Sequence, residues 1–167
     1  HNQDWANAIP YVRTLENVDT KRIAIWGTSY SGGHVLVTAS KDPNISAVIA
    51  QVPFVDAGST VRRFKLSFIL RAAVHALWDG LKMAFGAKPH NIKMVGYPDE
   101  FAALNTPDTY EDTMRLVPPG YELENYCPGR ALLTLISYKP IKKVHKIACP
   151  VLIQGSTEDA FIDIKAL

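Results

Sequence analysis

The sequence predicts an α/β fold built on an open parallel sheet with helices on both faces. Three short and nearly all-apolar runs, at residues 22–26, 46–53 and 150–155, are typical of strands that are covered on both sides. A helical pattern with short turns separates the first two runs, which predicts a right-handed crossover between parallel strands. We expect the first strand to lie between the other two or at their side.

The amino-terminal part of the chain alternates helix and strand. Residues 3–15 predict a helix that is kinked or restarted at Pro10, because proline removes an interior N–H donor. Residues 30–41 predict a second helix, which follows the first strand directly. The turn residues Asp42, Pro43 and Asn44 then separate this helix from the second strand.

The middle of the chain does not continue this alternation. Residues 61–85 and 130–138 predict further helices, and the segment between them is looser and rich in proline and glycine. We therefore expect a core formed by residues 1–56 and 144–167. Residues 57–143 are expected to form an inserted helical lid.

The composition narrows the classes of partner. The apolar fraction of 47% is that of an ordinary globular protein, and the formal net charge of +2 is too small to indicate nucleic-acid binding. No apolar run approaches the roughly 18 residues of a membrane span, so no membrane span is expected. Cys127 and Cys149 have neither a disulfide framework nor a metal-binding spacing, which favours a reducing compartment such as the cytoplasm. The oligomeric state is left open.

The junction around Ser29 is the most informative segment. The first apolar strand runs into Gly27, Thr28 and Ser29, and small residues and a helical pattern follow. This layout is typical of a nucleophile elbow, a strained turn that presents a serine hydroxyl at the edge of a parallel sheet. Ser31 stands where the second glycine of G-x-S-x-G is usual, but it is small enough to fit. The pattern predicts a positive φ at Ser29.

These features resemble the α/β-hydrolase superfamily. The likeness is carried by the segment from Trp26 to His34, by Val52-Pro53-Phe54, and by the last strand with acidic residues just beyond it. Within the superfamily it is similar to the dienelactone-hydrolase-like and X-Pro-dipeptidyl-peptidase-like branch. The resemblance covers residues 1–56 and 129–163. It implies a partial α/β-hydrolase fold that lacks strands at both ends.

The resemblance also implies a catalytic triad in the chain order serine, acid, histidine. Ser29 is the candidate nucleophile, since a serine hydroxyl needs a base and an orienting carboxylate. The backbone N–H of Tyr30, at the start of the helix, is the expected oxyanion donor. Asp159, just past the last strand, is the first candidate for the acid. Glu158 beside it, and Asp56 past the second strand, are the alternatives.

No histidine in the sequence is suitably placed to act as the base. His34 follows Ser29 on the same helix, where it is expected to point away from the nucleophile and to pack or hydrogen-bond. His75 and His90 lie in the predicted lid, His145 belongs to a basic surface segment, and His1 is terminal. We therefore expect the catalytic histidine to lie outside this chain.

The sequence predicts no cofactor and no metal, because no cluster has ligand spacing and no glycine-rich loop has phosphate-binding form. The apolar lid residues Phe64, Phe68, Trp78, Met83 and Phe85 either line an acyl pocket or pack as plain core. The predicted function is a serine hydrolase that cleaves a small-molecule ester, lactone or amide through an acyl-enzyme. An acyl transferase of the same fold and a non-catalytic binding protein are the alternatives.

Overall fold

The computed structural model describes residues 2–62, 64–159, 161–162 and 164–167. Its helices are α1 (Asn2–Val12), α2 (Ser29–Ala39), α3 (Ala57–Val61), α4 (Leu66–Ala84), α5 (Thr109–Leu116) and α6 (Ala131–Ile136), with 3-10 helices at Pro140–Lys146 and Ile164–Ala166. Its strands are β1 (Ala24–Thr28), β2 (Ala47–Gln51), β3 (Asn91–Val95), β4 (Ala102–Leu104), β5 (Tyr126–Pro128) and β6 (Val151–Gln154). None of the described helices combines the length and apolarity that crossing a membrane requires.

The chain divides into two compact units. The core unit comprises residues 1–60 and 138–167, and the inserted unit comprises residues 61–137. The core unit holds the sheet that the sequence predicts. The assignment of the inserted unit as a lid stays a prediction.

The sheet of the core unit is parallel throughout, in the order β1-β2-β6. The three strands end at the same level, because Thr28 pairs with Gln51 and Gln51 pairs with Gln154. The predicted open parallel sheet is confirmed, with β1 at the side of the other two strands. Every residue that follows directly on one of these strand ends therefore lies at the same carboxyl edge.

One face of this sheet forms the core. Ile25 and Val48 are buried there against Val35 and Leu36 of α2. On the other face, Trp26, Ile49 and Leu152 lie in register across the three strands and are 57%, 36% and 53% exposed. Among the described residues, helices therefore cover one face of this sheet, whereas the sequence predicts helices on both faces.

The inserted unit contains a small sheet that the sequence analysis missed. Its order is β4-β3-β5, with β4 parallel and β5 antiparallel to β3. Strands β4 and β5 have three residues each. Strands this short carry no readable hydrophobic alternation, so the segment appeared as a loop rich in proline and glycine.

A buried carboxylate connects the elements of the inserted unit. Asp79 of α4 is fully buried, and it accepts the backbone N–H groups of His90 at 2.6 Å and Arg130 at 2.9 Å. Burial alone would raise the pKa of Asp79, but these hydrogen bonds and the Arg130 guanidinium outweigh it and lower the pKa. Asp79 therefore stays charged and joins α4 to the segments that precede β3 and α6.

Candidate active site

Ser29 lies at the point where β1 turns into α2. Its φ is +53°, whereas Thr28 before it is extended, with φ −116° and ψ 150°. The predicted positive φ is confirmed. A residue other than glycine in this region is uncommon, and it persists where its surroundings hold it in place. The serine is therefore presented by a sharp turn between the last residue of a strand and the first turn of a helix.

Glycines allow this turn to close. A Cβ at Gly27 would collide with the backbone carbonyl of Ser31. A Cβ at Gly32 would lie 2.9 Å from the Cα of Pro53, and one at Gly33 would overlap the carbonyl oxygen of Phe54. Real Cβ contacts are not this short, so α2 approaches the segment after β2 more closely than any larger residue would allow.

The segment after β2 is held against the Ser29 turn. The backbone N–H of Phe54 donates to the carbonyl oxygen of Ser29 at 2.9 Å. Val52, two residues earlier, has a φ of +37°. This conformation is strained for a β-branched residue. Sequence reasoning missed it, because a residue before proline is expected to be extended.

Asp159 follows the carboxyl end of β6, five residues after Gln154. Its Oδ1 accepts the backbone N–H groups of Phe161 at 2.8 Å and Ile162 at 2.7 Å. Ser29 and Asp159 thus belong to segments that leave the same sheet edge from its two outer strands. Those strands are about 10 Å apart, which is two strand spacings. The role of Asp159 stays a prediction, as does that of Glu158 beside it.

Asp56 occupies the matching place on the middle strand, five residues after Gln51. Its carboxylate accepts the backbone N–H groups of Gly58 at 3.2 Å and Ser59 at 3.0 Å, and Lys139 Nζ lies 3.6 Å away. Burial would raise the pKa of Asp56, but the two N–H groups and the lysine lower it on balance. Asp56 therefore organises the start of α3 as a charged cap.

An aromatic cluster surrounds the residue after Ser29. The ring of Tyr30 packs edge-on against His34 and Phe54, with centroids 4.4 and 5.8 Å away, and lies 5.1 Å from Tyr138. The rings of Phe54 and Tyr138 stack at 6.3 Å. Tyr30 is thus fixed on three sides. Its backbone N–H, at the start of α2, stays the predicted oxyanion donor.

His34 is a buried helix residue. It is 5% exposed, and its Nδ1 lies 2.5 Å from the hydroxyl oxygen of Tyr138. Burial lowers the pKa of His34 and raises the pKa of Tyr138, so both side chains are uncharged at neutral pH. The expectation that His34 packs and hydrogen-bonds is confirmed. Sequence spacing could not identify its partner, because the two residues are 104 positions apart.

The other histidines lie elsewhere in the fold. His145 is in the 3-10 helix that precedes β6, and is exposed. His75 and His90 are in the inserted unit, where His75 Nδ1 and His90 Nε2 are 2.8 Å apart. His1 lies outside the described residues. Within those residues, no group of three or more His, Cys, Asp or Glu side chains is arranged to hold a metal ion.

The apolar residues proposed to line a pocket or to pack as core in the inserted unit divide into two groups. Phe64 and Phe68 stack on each other at 4.8 Å. Trp78, Met83 and Phe85 are instead 55%, 56% and 86% exposed. The interpretation of these three residues as plain core is therefore wrong. Trp78 and Met83 lie on the exposed side of α4, and Phe85 is exposed directly after this helix.

The chain is similar to one protein family and to several known proteins. The acetyl xylan esterase (AXE1) family model matches residues 2–67. The chain is 39% identical over 150 residues to the quorum-quenching protein AidA of Acinetobacter baumannii (strain MDR-ZJ06), covering 90% of this chain and 49% of that protein. It is 31% identical over 108 residues to the thiohydrolase apmlB of Arthrinium phaeospermum, covering 62% and 33%.

The structure superposes on the crystal structure of the α/β hydrolase GrgF from Penicillium sp. sh18 with a TM-score of 0.75. The sequence identity is 20%, and the match covers 99% of this chain and 55% of GrgF. This likeness shows the fold. The chain spans 49% of the length of AidA and a similar share of GrgF.

Proposed function

Because this chain belongs to the α/β-hydrolase superfamily, we propose that it carries the nucleophile of a serine hydrolase that cleaves an ester, lactone or amide. The observation that carries this proposal is the strained backbone of Ser29, with its φ of +53°, at the carboxyl edge of the parallel sheet. Strain of this kind concentrates at functional sites. In the nucleophile elbow it exposes the serine oxygen to substrate.

The chemistry follows from the groups at this edge. Ser29 Oγ attacks the carbonyl carbon of the substrate while a histidine base takes its proton. The resulting oxyanion accepts the backbone N–H of Tyr30, with support from the dipole of α2. Collapse of the tetrahedral intermediate expels the alcohol or amine, which receives the proton, and leaves the acyl group on Ser29. Water then attacks this acyl-enzyme with the same base, which releases the acid and restores the serine.

Asp159 is the carboxylate that we assign to orient the base. It follows the outer strand β6, and two backbone N–H groups hold one of its oxygens in place. Asp56 is the weaker candidate, because both of its oxygens cap α3 and Lys139 lies beside it. The Lys139 ammonium already compensates part of the negative charge that would stabilise a protonated histidine.

We propose that the base is a histidine outside residues 1–167. His34 faces Tyr138 from inside the core unit, and the exposed His145 lies on the approach to the amino end of β6. His75 and His90 belong to the inserted unit. A triad without its histidine retains only the residual rate that substrate binding and the oxyanion hole supply. We therefore expect residues 1–167 alone to show no turnover above that of their Ser29→Ala variant.

The names of the matched proteins suggest which substrates to test first. The matching family model is that of acetyl xylan esterase, and one relative is named a thiohydrolase. Short acyl esters of p-nitrophenol and the corresponding thioesters are therefore the first panel, followed by lactones and amides.

The test compares three forms of the full-length protein on this panel. We expect turnover by the wild type and its loss in Ser29→Ala, because no other group then forms the acyl-enzyme. Ser46→Ala is the matched control, since Ser46 precedes β2 at the opposite edge and its Oγ donates to the carbonyl of Lys21 at 2.7 Å. Turnover that survives Ser29→Ala contradicts the proposal. A wild type as inactive as Ser29→Ala across the panel favours the non-catalytic binding protein, and acyl transfer to an added alcohol in preference to water favours the transferase.

A further inference from the structure

Among the described residues, the two residues other than glycine with positive φ lie in two segments that contact each other, the Ser29 turn and the turn after β2. These residues are Ser29, with φ +53°, and Val52, with φ +37°. The Phe54 N–H donates to the Ser29 carbonyl at 2.9 Å, and the Phe54 ring stacks on Tyr138. The Tyr138 hydroxyl meets His34 Nδ1 at 2.5 Å, and His34 leads back along α2 to Ser29. The Phe54 amide thus links the segment after Val52 directly to Ser29, and the Tyr138–His34 pair joins the same two segments a second time.

The segment after Ser137 holds the turn after β2 through its backbone as well. The carbonyl of Tyr138 accepts the N–H of Ala57 at 3.1 Å, and the N–H of Ile141 donates to the carbonyl of Val55 at 3.1 Å. The N–H of Val52 itself donates to the carbonyl of Gln154 at 2.6 Å. A strained conformation persists only where the surroundings over-determine it. These contacts supply that constraint.

We propose that His34 and Tyr138 are positioning residues, which hold the Ser29 turn and the Tyr30 backbone through Phe54. This inference rests on the proposed function for its catalytic consequence. The mechanism needs Ser29 Oγ and the Tyr30 N–H fixed relative to each other, because misplacement of about 1 Å lowers the rate about 100-fold. The pair touches neither substrate nor the reacting atoms. It acts by fixing the backbone on which both groups stand.

The test removes the hydrogen bond while it keeps the rings. Tyr138→Phe deletes one hydroxyl, His34→Phe keeps an aromatic ring, and the double variant does both. In the full-length protein, we expect each single variant to lower kcat about 10- to 100-fold and to change KM less than 2-fold. The double variant should be no slower than the slower single variant, because each single variant already removes the His34–Tyr138 bond and Tyr138→Phe also removes the bond of its hydroxyl to Asn2. His34→Gln, which can still bond to the phenol, should recover part of the rate.

A second readout keeps the inference independent of activity. Native-state hydrogen exchange at the Phe54 amide reports the bond to Ser29 directly, and it should accelerate in Tyr138→Phe. Tyr97→Phe is the matched control, since the Tyr97 hydroxyl donates to Glu111 at 2.7 Å in the inserted unit. It should leave kcat and Phe54 exchange unchanged.

The two proposals fail in different ways. Activity that survives Ser29→Ala overturns the serine mechanism, while exchange at Phe54 still decides the role of the pair. If Tyr138→Phe lowers only the melting temperature and leaves kcat and Phe54 exchange as they were, the pair is structural and the inference is wrong. Full additivity of the two single variants also contradicts it.

Discussion

Asp159 in the core unit and Asp79 in the inserted unit each accept two backbone N–H groups. They differ in how far along the chain the donors lie and in how deeply the carboxylate is buried. Asp159 in the core unit is half-buried, and one of its oxygens accepts the N–H groups two and three residues further on. Asp79 in the inserted unit is fully buried and accepts N–H groups that are 11 and 51 residues away. These hydrogen bonds of Asp159 are local and hold its carboxylate in its own turn. A buried carboxylate that joins distant segments supports the fold.

The largest expected effect is on catalysis and concerns Asp159. Asp159→Asn in the full-length protein should lower kcat by about 10⁴-fold, because an amide no longer stabilises the charged histidine. The melting temperature should change little, since the amide oxygen can still accept the two local N–H groups. Kinetics and calorimetry on the same preparations check this. Asp56→Asn is the matched control, and an activity loss larger than that of Asp159→Asn would transfer the acid role to Asp56.

The next effect is on stability and concerns Asp79. Asp79→Ala should destabilise the inserted unit by about 3 kcal/mol, because two backbone N–H groups lose a charged acceptor. Hydrogen exchange should accelerate in α4 and α6, while the amides of β1 and β2 keep their protection. Asp112→Ala removes only the exposed pair with Arg115 and should change stability by less than about 0.5 kcal/mol. Equal effects of the two variants would contradict the bracing role of Asp79.

Alanine substitutions at two helix glycines should change the free energy of unfolding in opposite directions. Gly33→Ala in α2 should destabilise the core unit by about 1–3 kcal/mol, since its Cβ would overlap the Phe54 carbonyl. Gly80→Ala in α4 should stabilise the inserted unit by about 0.5–1 kcal/mol, because nothing lies within 4 Å of its Cβ and alanine favours helix. Chemical denaturation of both variants measures these changes in the free energy of unfolding. Stabilisation by Gly33→Ala would show that α2 does not approach the turn closely.

The smallest effect is a pH dependence of the inserted unit. His75 and His90 share a hydrogen bond of 2.8 Å, with Arg71 and the buried Asp79 on the same helix as His75. Burial, then the charges of His90 and Arg71, lower the pKa of His75 below its ordinary value. The His75 imidazole therefore binds a proton less readily in the folded protein than in the unfolded chain, where its pKa is about 6.5. The contribution of His75 to the free energy of unfolding should be fully present above about pH 6.5. It should be lost as the pH falls through the pKa of His75 in the folded protein.

Hydrogen exchange in α4 between pH 7 and pH 5 measures this dependence. His75→Phe, which can still stack on Phe101, should flatten it, whereas His145→Gln in the core unit should not. An unchanged pH dependence in His75→Phe would assign it to other groups.

The features that the sequence could predict depend on residues that are neighbours in the chain or on a rule of sheet topology. The strands of the core unit were predicted within two residues at their beginnings and ends, because each is a continuous apolar run bounded by turn residues. The position of Ser29 followed from small residues that are neighbours in the chain. Ser29 and Asp159 were each predicted to follow a strand, and the parallel pairing of these strands places both strand ends at one edge. All of these signals are local or follow from a topological rule.

The missed features depend on contacts between distant residues. Asp79 appeared in the sequence only as a charge within an apolar helix, because its partners are set by the folding of the inserted unit. The pairing of His34 with Tyr138 and the strain at Val52 likewise depend on how the segment after Ser137 folds against α2. The small sheet β4-β3-β5 has strands too short for a periodic signal.

The central claim is that Ser29 is the nucleophile, and covalent labelling tests it most directly. The full-length protein is treated with a fluorophosphonate, which phosphonylates an activated serine, and the modified peptide is identified by mass spectrometry. We expect one adduct per chain on Ser29, with hydrolysis lost in proportion to labelling and no adduct in Ser29→Ala. Hydrolysis that persists after complete labelling, or an adduct on another residue while Ser29 stays unmodified, would contradict the claim.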